Sequence, residues 1–253
     1  MEQLIAAPSG TYLYGVVAAD QAVEEAELSG IDGGCVHYVI EGALAAAVSG
    51  VPDEKLRPQR RHLAAHQAVL MHLMGKSGLL PMSFGNIAKN TKDVCKLLSA
   101  NQDALLEQLE RVAGNVEMGL RVCWNVPNFF EYFVSRHPNI ASLRDRMFSG
   151  GREPSQGDKL ELGRLFEKAL NTDRDEHTET VKRFLLPCCV EILENDPRED
   201  RDVLSLACLV ASDRQKDFEN AVMDAAKLFD DTFSFDFSGP WPPYNFVEMQ
   251  LSM

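Results

Sequence analysis

His62 and His66 lie four residues apart in RRHLAAHQAVLMH (60–72), and a helix would put both imidazoles on one face. Two imidazoles at that spacing are the beginning of a zinc site. A metalloprotease helix would also carry a glutamate beside the first histidine as general base, and here that place holds Leu63. His72 falls about 120° round the helix from His66, so no third ligand is local. The plainer account makes His66 a hydrogen-bonded histidine on an apolar helix face, with His62 at its border, because buried polar groups find partners. The same stretch starts with KLRPQRR (55–61), four positive charges in a chain of net charge −13. Arg57, Arg60 and Arg61 would sit at the helix N-terminus, the unfavourable end of its dipole for a cation. Something else must favour them there, either an acidic segment of a partner or this chain's own carboxylates.

No other pattern carries chemistry. SGIDGGC (29–35) matches neither GxGxxG nor GxxxxGK and reads as a turn. Cys188 and Cys189 read as core cysteines on or next to a helix. The acidic runs 173–179 and 191–202 contain interleaved arginines and read as solvated faces. There is no GxSxG, no Ser-His-Asp order and no evident carboxylate pair. The sequence therefore predicts no catalytic residues, no cofactor and no metal.

Composition narrows the classes further. The chain has 253 residues, 45% of them hydrophobic, enough to bury a core. A net charge of −13 argues against nucleic acid and against anionic membrane surfaces, both of which select Lys and Arg. The first twenty residues contain no Lys or Arg, and their apolar run is broken by Pro8, Ser9 and Gly10, unlike a signal peptide. No stretch approaches the ~20 apolar residues of a membrane span. Six scattered cysteines without a CxxC pair fit reduced thiols in the cytoplasm.

The elements that must position these residues follow from periodicity. TYLYGVV (11–17), CVHYVIEG (35–42) and ALAAAVSG (43–50) read as strands, with a turn near Gly42. A helix is predicted from Gln59 to about Met74, with Leu63, His66, Leu70, Leu73 and Met74 on one face and Pro58 in its first turn. LLPMSFG (79–85) is predicted as an edge strand or bulge because Pro81 cannot donate to a ladder. A helix or helix pair capped by Thr91 runs to about Val112. VEMGLRVCW (116–124) alternates as a strand. An aromatic helix follows at about 128–135, then a loop at 149–158. A long helix runs from about Lys159 towards Leu193, interrupted at Pro187. VLSLACLVA (203–211) reads as a central buried strand, 214–229 as a helix and TFSFDFS (232–238) as a strand. The expected fold is α+β, with an N-terminal sheet-and-helix domain over 1–112 and a second over 113–253.

The chain closes with SGPWPPYNFV (238–247), too rich in proline for a helix or an ordinary strand. Its prolines stiffen the segment, and Trp241, Pro242, Tyr244 and Phe246 offer large apolar area. It is expected to be either an intramolecular clasp or a docking arm for a partner.

Several segments, in order, match one family: YLYGVV, RPQRRHLAAHQAVL, LLPMSFGN, LRVCW, LGRLFEKAL, ACLV and SGPWPPYNFV. Together they resemble the gas vesicle protein family GvpF/GvpL over nearly the whole chain, with the closing motif and the RRHLAAH segment the most specific parts. Length and spacing are more similar to cyanobacterial members than to archaeal ones. The resemblance implies a two-domain α+β fold whose second domain is similar to a modified ferredoxin-like fold. It implies a minor component or assembly factor of gas vesicles, located with the vesicle after synthesis in the cytoplasm. Its partners would be the major shell protein GvpA and other accessory Gvp proteins, contacted through Arg57, Arg60, Arg61 and the closing aromatic segment. The family offers no catalytic residues to carry over. Two other readings stay open on the residues alone, a metalloenzyme using His62 and His66 and a small-ligand sensor built on a ferredoxin-like domain.

Overall fold

The computed structural model describes residues 10–22, 28–52, 56–75, 78–149 and 154–248. The N-terminal run through Ser9, Lys55 of the basic stretch, and residues 150–153 of the expected loop lie outside the described residues. The chain divides into two compact units, Met1–Glu117 with Gly239–Met253, and Met118–Ser238. The C-terminal segment thus groups with the first unit, whereas the sequence placed it in the second domain. The reason is chemical: its polar and aromatic groups find their partners on residues of the first unit.

In the first unit, β1 (Gly10–Ala18), β2 (His37–Glu41), β3 (Leu44–Val51), β4 (Leu80–Pro81) and β5 (Ile87–Ala88) form one sheet in the order β2-β3-β1-β4, with β5 also pairing β1. The β1–β3 ladder is antiparallel, and its register shifts between Leu13 and Gly15. The turn at Gly42 has φ +59°, a left-handed geometry that glycine takes at little cost. At Gly15 a Cβ would stand 2.8 Å from the Leu80 carbonyl oxygen, so glycine lets β4 close on β1. Pro81 ends up on the edge, as its missing N–H requires.

Three helices belong to this unit: α1 (Arg60–Met74), α2 (Thr91–Ala100) and α3 (Gln102–Val112). Gln59 is the N-cap of α1, so Pro58 lies just before the helix rather than in its first turn. The expected stripe is rotated: His62, His66, Val69, Leu70 and Leu73 are buried, while Leu63 is exposed. His62 displaces Leu63 from the buried face because both of its ring nitrogens have partners there. Asn90, rather than Thr91, caps α2, accepting from the Asp93 amide. The core joins Tyr12, Tyr14 and Val17 of β1 with Val69, Leu70 and Leu73 of α1.

From the end of the first unit through the second, the elements succeed one another as β6 (Asn115–Trp124), α4 (Phe129–Arg136), α5 (Pro138–Phe148), α6 (Gln156–Leu185), β7 (Glu191–Glu194), β8 (Asp202–Ala211), α7 (Gln215–Ala226) and β9 (Phe233–Trp241), with the first residues of β6 and the last of β9 counted in the first unit. Their sheet order is β7-β8-β6-β9. β8 is interior, which explains why both of its faces are apolar. Helix α5, unforeseen in the sequence, starts on Pro138 at its first helical position, where proline is well tolerated. The helix expected to reach Leu193 stops at Leu185, ahead of Pro187. Residues 191–194 instead pair antiparallel with Leu206–Leu209 of β8. Strand β9 runs through Pro240 to Trp241, so part of the closing motif is strand after all. That position is on an edge strand, where proline is allowed. Among the described residues no helix is long and apolar enough to cross a membrane.

Candidate functional site

His66 sits at the centre of a hydrogen-bonded chain in the first unit. The Gly85 amide donates to Tyr12 Oη at 3.0 Å, and Tyr12 Oη is 3.0 Å from His66 Nδ1. On the other side His66 Nε2 is 3.2 Å from Tyr244 Oη, which donates to the Met82 carbonyl oxygen at 3.4 Å. These partners assign the protons. Tyr12 donates to Nδ1, so Nε2 carries the hydrogen and gives it to Tyr244. Both ring nitrogens of a neutral imidazole are satisfied. Protonating Nδ1 would leave the Tyr12 hydroxyl without its acceptor. Burial lowers His66 from 6.5 to about 4, an effect only partly offset by the Met82 carbonyl. Burial also pushes Tyr12 and Tyr244 up to about 12, so both stay hydroxyl donors at neutral pH. The Tyr14 ring stacks on the imidazole at 26° and 5.8 Å, and Phe84 meets it edge-on.

The glycine-rich stretch 29–35 supports this arrangement. The Ile31 amide donates to Tyr14 Oη at 2.8 Å, and Tyr14 Oη is 2.8 Å from Ser49 Oγ. A Cβ at Gly30 would collide with the Tyr14 hydroxyl, so glycine is what lets the loop reach it. Asp32, at φ +49°, turns its carboxylate to the start of α1. It lies 3.1 Å from His62 Nε2 and 3.5 Å from Arg61 Nη2. The other His62 nitrogen faces the Arg57 carbonyl oxygen at 3.0 Å. The turn thus supplies the anion that helps hold a cation at an otherwise unfavourable helix end.

Both histidines therefore have their ring nitrogens committed within the chain. They do not converge on a common point, and among the described residues no group of three or more His, Cys, Asp or Glu side chains is arranged to hold a metal. Burial pushes the Cys123 thiol up to about 11 and Cys188 to about 12, so neither supplies a thiolate nucleophile at neutral pH.

The residues proposed from sequence as partner contacts fall into three groups. Arg57, Arg60 and Arg61 are exposed along the start of α1, with Arg61 also bonded to Gln59 Oε1 at 3.0 Å. Pro242 and Phe246 are buried, Phe246 to 1% exposure. Trp241 and Tyr244 keep exposed ring surface, at 40% and 36%. The segment is held by Tyr244 on His66 and by Asn245, whose amide and Nδ2 donate to the Glu117 carboxylate at 2.9 and 2.6 Å. Glu117 is itself buried, and burial raises its pKa against the Asn245 bonds. Phe246, not Trp241, is the core anchor. Within this chain the segment has the geometry of a clasp.

A second polar centre was not foreseen. Asp202, taken with a solvated acidic run, is fully buried. Its Oδ1 accepts from Arg121 Nε at 3.0 Å, Arg121 Nη2 at 2.6 Å and Cys123 Sγ at 3.3 Å. Its Oδ2 accepts from the amides of Arg198 and Glu199 at 2.7 and 3.0 Å. Burial pushes this carboxyl up, but Arg121 and the two amides outweigh it, and the group sits below the ordinary carboxylate value. The available sequence signal was position: an aspartate directly before an apolar strand and after a PRED turn.

Over residues 10–248 the chain matches the family described as Gas vesicle synthesis protein GvpL/GvpF. It is 27% identical to gas vesicle protein F of Nostoc sp., covering 95% of this chain and 99% of that protein. It is 28% identical to gas vesicle protein F of Haloferax mediterranei, covering 95% and 94%. The crystal structure of GvpF from Anabaena sp. shares the fold, with a TM-score of 0.83 at 26% identity over 96% of this chain and 99% of that one.

Proposed function

We propose that this chain, which belongs to the gas vesicle synthesis protein GvpL/GvpF family, is a minor structural component or assembly factor of gas vesicles. It works by protein–protein contact with the major shell protein GvpA or with other accessory Gvp proteins, and not by catalysis. It is made in the cytoplasm and acts with the vesicle. The observation that carries this reading is the family likeness from residue 10 to residue 248, together with the fold it shares with a GvpF crystal structure.

The geometry supports a role through surfaces. A factor that handles a shell subunit needs pre-organised surface, so that little entropy is lost on contact. The first unit offers an exposed arginine row, Arg57, Arg60 and Arg61, on a fixed helix end, and exposed ring area at Trp241 and Tyr244 on a clasped segment. A net charge of −13 opposes self-association. The test is a clean deletion in the host. It should reduce or abolish vesicles without a general growth defect, and complementation should restore them. Normal flotation and normal vesicles in the deletion would refute the reading.

A further inference from the structure

We propose that the second unit carries a binding site for an organic cation, an ammonium or guanidinium group. The site is a cavity of about 490 Å3, within the range of small-ligand pockets, roughly 300–1,000 Å3. Trp124 and Phe133 line it and are almost fully buried, so they form its floor. Phe229 and Phe233 are half-buried walls, their centroids 5.0 Å apart, with Phe233 6.3 Å from Trp124. Aromatic rings line the space, and a cation within about 6 Å of a ring centroid is attracted to its π face.

The charges of the lining agree with the rings. Asp173, Glu176 and Asp230 line the cavity against one guanidinium, Arg136. His177 also lines it, and burial holds its imidazole below the ordinary value, so it adds no full positive charge at neutral pH. Asp173 is paired with His137 at 3.1 Å and Asp230 accepts from the Thr232 amide at 2.9 Å, but the charged groups of the lining still sum to a negative charge, which repels an anion and favours a cation over a neutral hydrogen-bond donor. A cation answers both the rings and the carboxylates. The chain supplies its own example at the rim, where Arg136 lies over the Tyr132 ring at 5.6 Å. The cation could be a free small molecule or a basic side chain of a partner; the chemistry is the same. Nothing in this site involves His66 or the C-terminal clasp, so its failure would leave the gas vesicle reading untouched.

The chain has two tryptophans, so a Trp241→Phe protein reports on Trp124 alone. Titrate it with tetramethylammonium chloride, with argininamide and with the peptide Gly-Gly-Arg-Gly-Gly, at constant ionic strength. Citrullinamide, neutral and nearly isosteric, is the control. The expected result is a saturable change in Trp124 emission with the cations and none with citrullinamide. Phe229→Leu should weaken binding about 3- to 30-fold. Glu176→Gln, at an exposed position, should weaken it about threefold. Thermal melts of both variants establish that they are folded. Tighter binding of the peptide assigns the site to a partner's basic side chain, and tighter binding of argininamide assigns it to a free cation; either supports the proposal. No saturable response to any cation, an equal response to citrullinamide, or parent-like binding by both folded variants overturns it.

Discussion

The two units hold their buried polar groups in opposite ways. The first uses a neutral chain, Tyr12 to His66 to Tyr244, closed by a segment 178 residues away from the histidine. The second uses a charged hub, Asp202 with Arg121 and two backbone amides. The neutral chain costs little desolvation but works only while the imidazole stays uncharged. The ionic hub carries a larger desolvation cost, met by five donors, and its carboxyl is held below the ordinary carboxylate value. Acid should therefore loosen the first unit before the second, and the C-terminal clasp is the part of the first unit that acid reaches.

The largest effect should come from removing the clasp. Truncation after Ser238 deletes Phe246, whose burial alone is worth about 3–5 kcal/mol, and strips Glu117 of both Asn245 donors. The melting temperature of the first unit should fall sharply, and hydrogen exchange should rise around β1 and α1. A truncated protein with a near-normal melt that fails to support vesicles would instead make the segment a docking arm. If it is both stable and fully active, neither account survives.

Next in size is the ionic hub. Asp202→Ala leaves the amides of Arg198 and Glu199 without their side-chain acceptor, at about 1–3 kcal/mol each, while Arg121, 38% exposed, keeps Glu199 at 3.7 Å. Loss of exchange protection should concentrate in β8, β6 and the 198–202 turn. Equal loss in the first unit would blur the contrast between the two networks. A cost below about 1 kcal/mol would mean that water replaces the carboxylate easily.

How much of this was legible beforehand divides along the same line. Strands β1, β2, β3, β6 and β8 were readable because alternation or continuous apolar character fixes the face of each residue. The helix at Arg60 was readable, but its buried stripe was not. That stripe depends on His62 meeting Asp32, a partner 30 residues away. The end of α6 and the start of β7 were missed because Glu191–Glu194 has no strong period of its own; pairing with β8 decides it. His66 could be identified as a buried, bonded histidine, yet its partners Tyr12 and Tyr244 are 54 and 178 residues distant and no local pattern names them. Asp202 was hidden inside an acidic run, because charge composition says nothing about which single carboxylate meets an arginine at position 121.

A pH series sharpens the contrast at an intermediate size. The folded pKa of His66 is depressed, from 6.5 to about 4, so the unfolded chain binds a proton first. This contribution is fully present above pH 6.5, declines as pH falls from 6.5 to 4, and changes no further below 4. The whole loss is about 3 kcal/mol. Urea unfolding at pH 7, 5.5 and 4.5 should show this decline in the parent. His66→Gln, which cannot titrate, should lack it. A parallel slope in both proteins would place the acid sensitivity elsewhere.

The smallest stability effect should come from the arginine row, and that is what makes it informative. Arg61 is 70% exposed and its Asp32 partner 33% exposed at 3.5 Å, a pair worth at most about 1 kcal/mol. Asp32 also keeps His62, so reversing Arg61 does not orphan the carboxylate. Replacing Arg57, Arg60 and Arg61 by Glu should therefore leave the melt within a few degrees of the parent. If the row docks an acidic surface of a Gvp partner, the same variant should bind that partner more weakly. Its deficit should shrink as salt rises, because exposed charges are screened beyond about 10 Å at 0.1 M. Unchanged binding together with a lost fold would make these arginines part of the chain's own framework. Unchanged binding with an intact fold would remove them from the interface and leave the exposed rings of Trp241 and Tyr244 as the next surface to test.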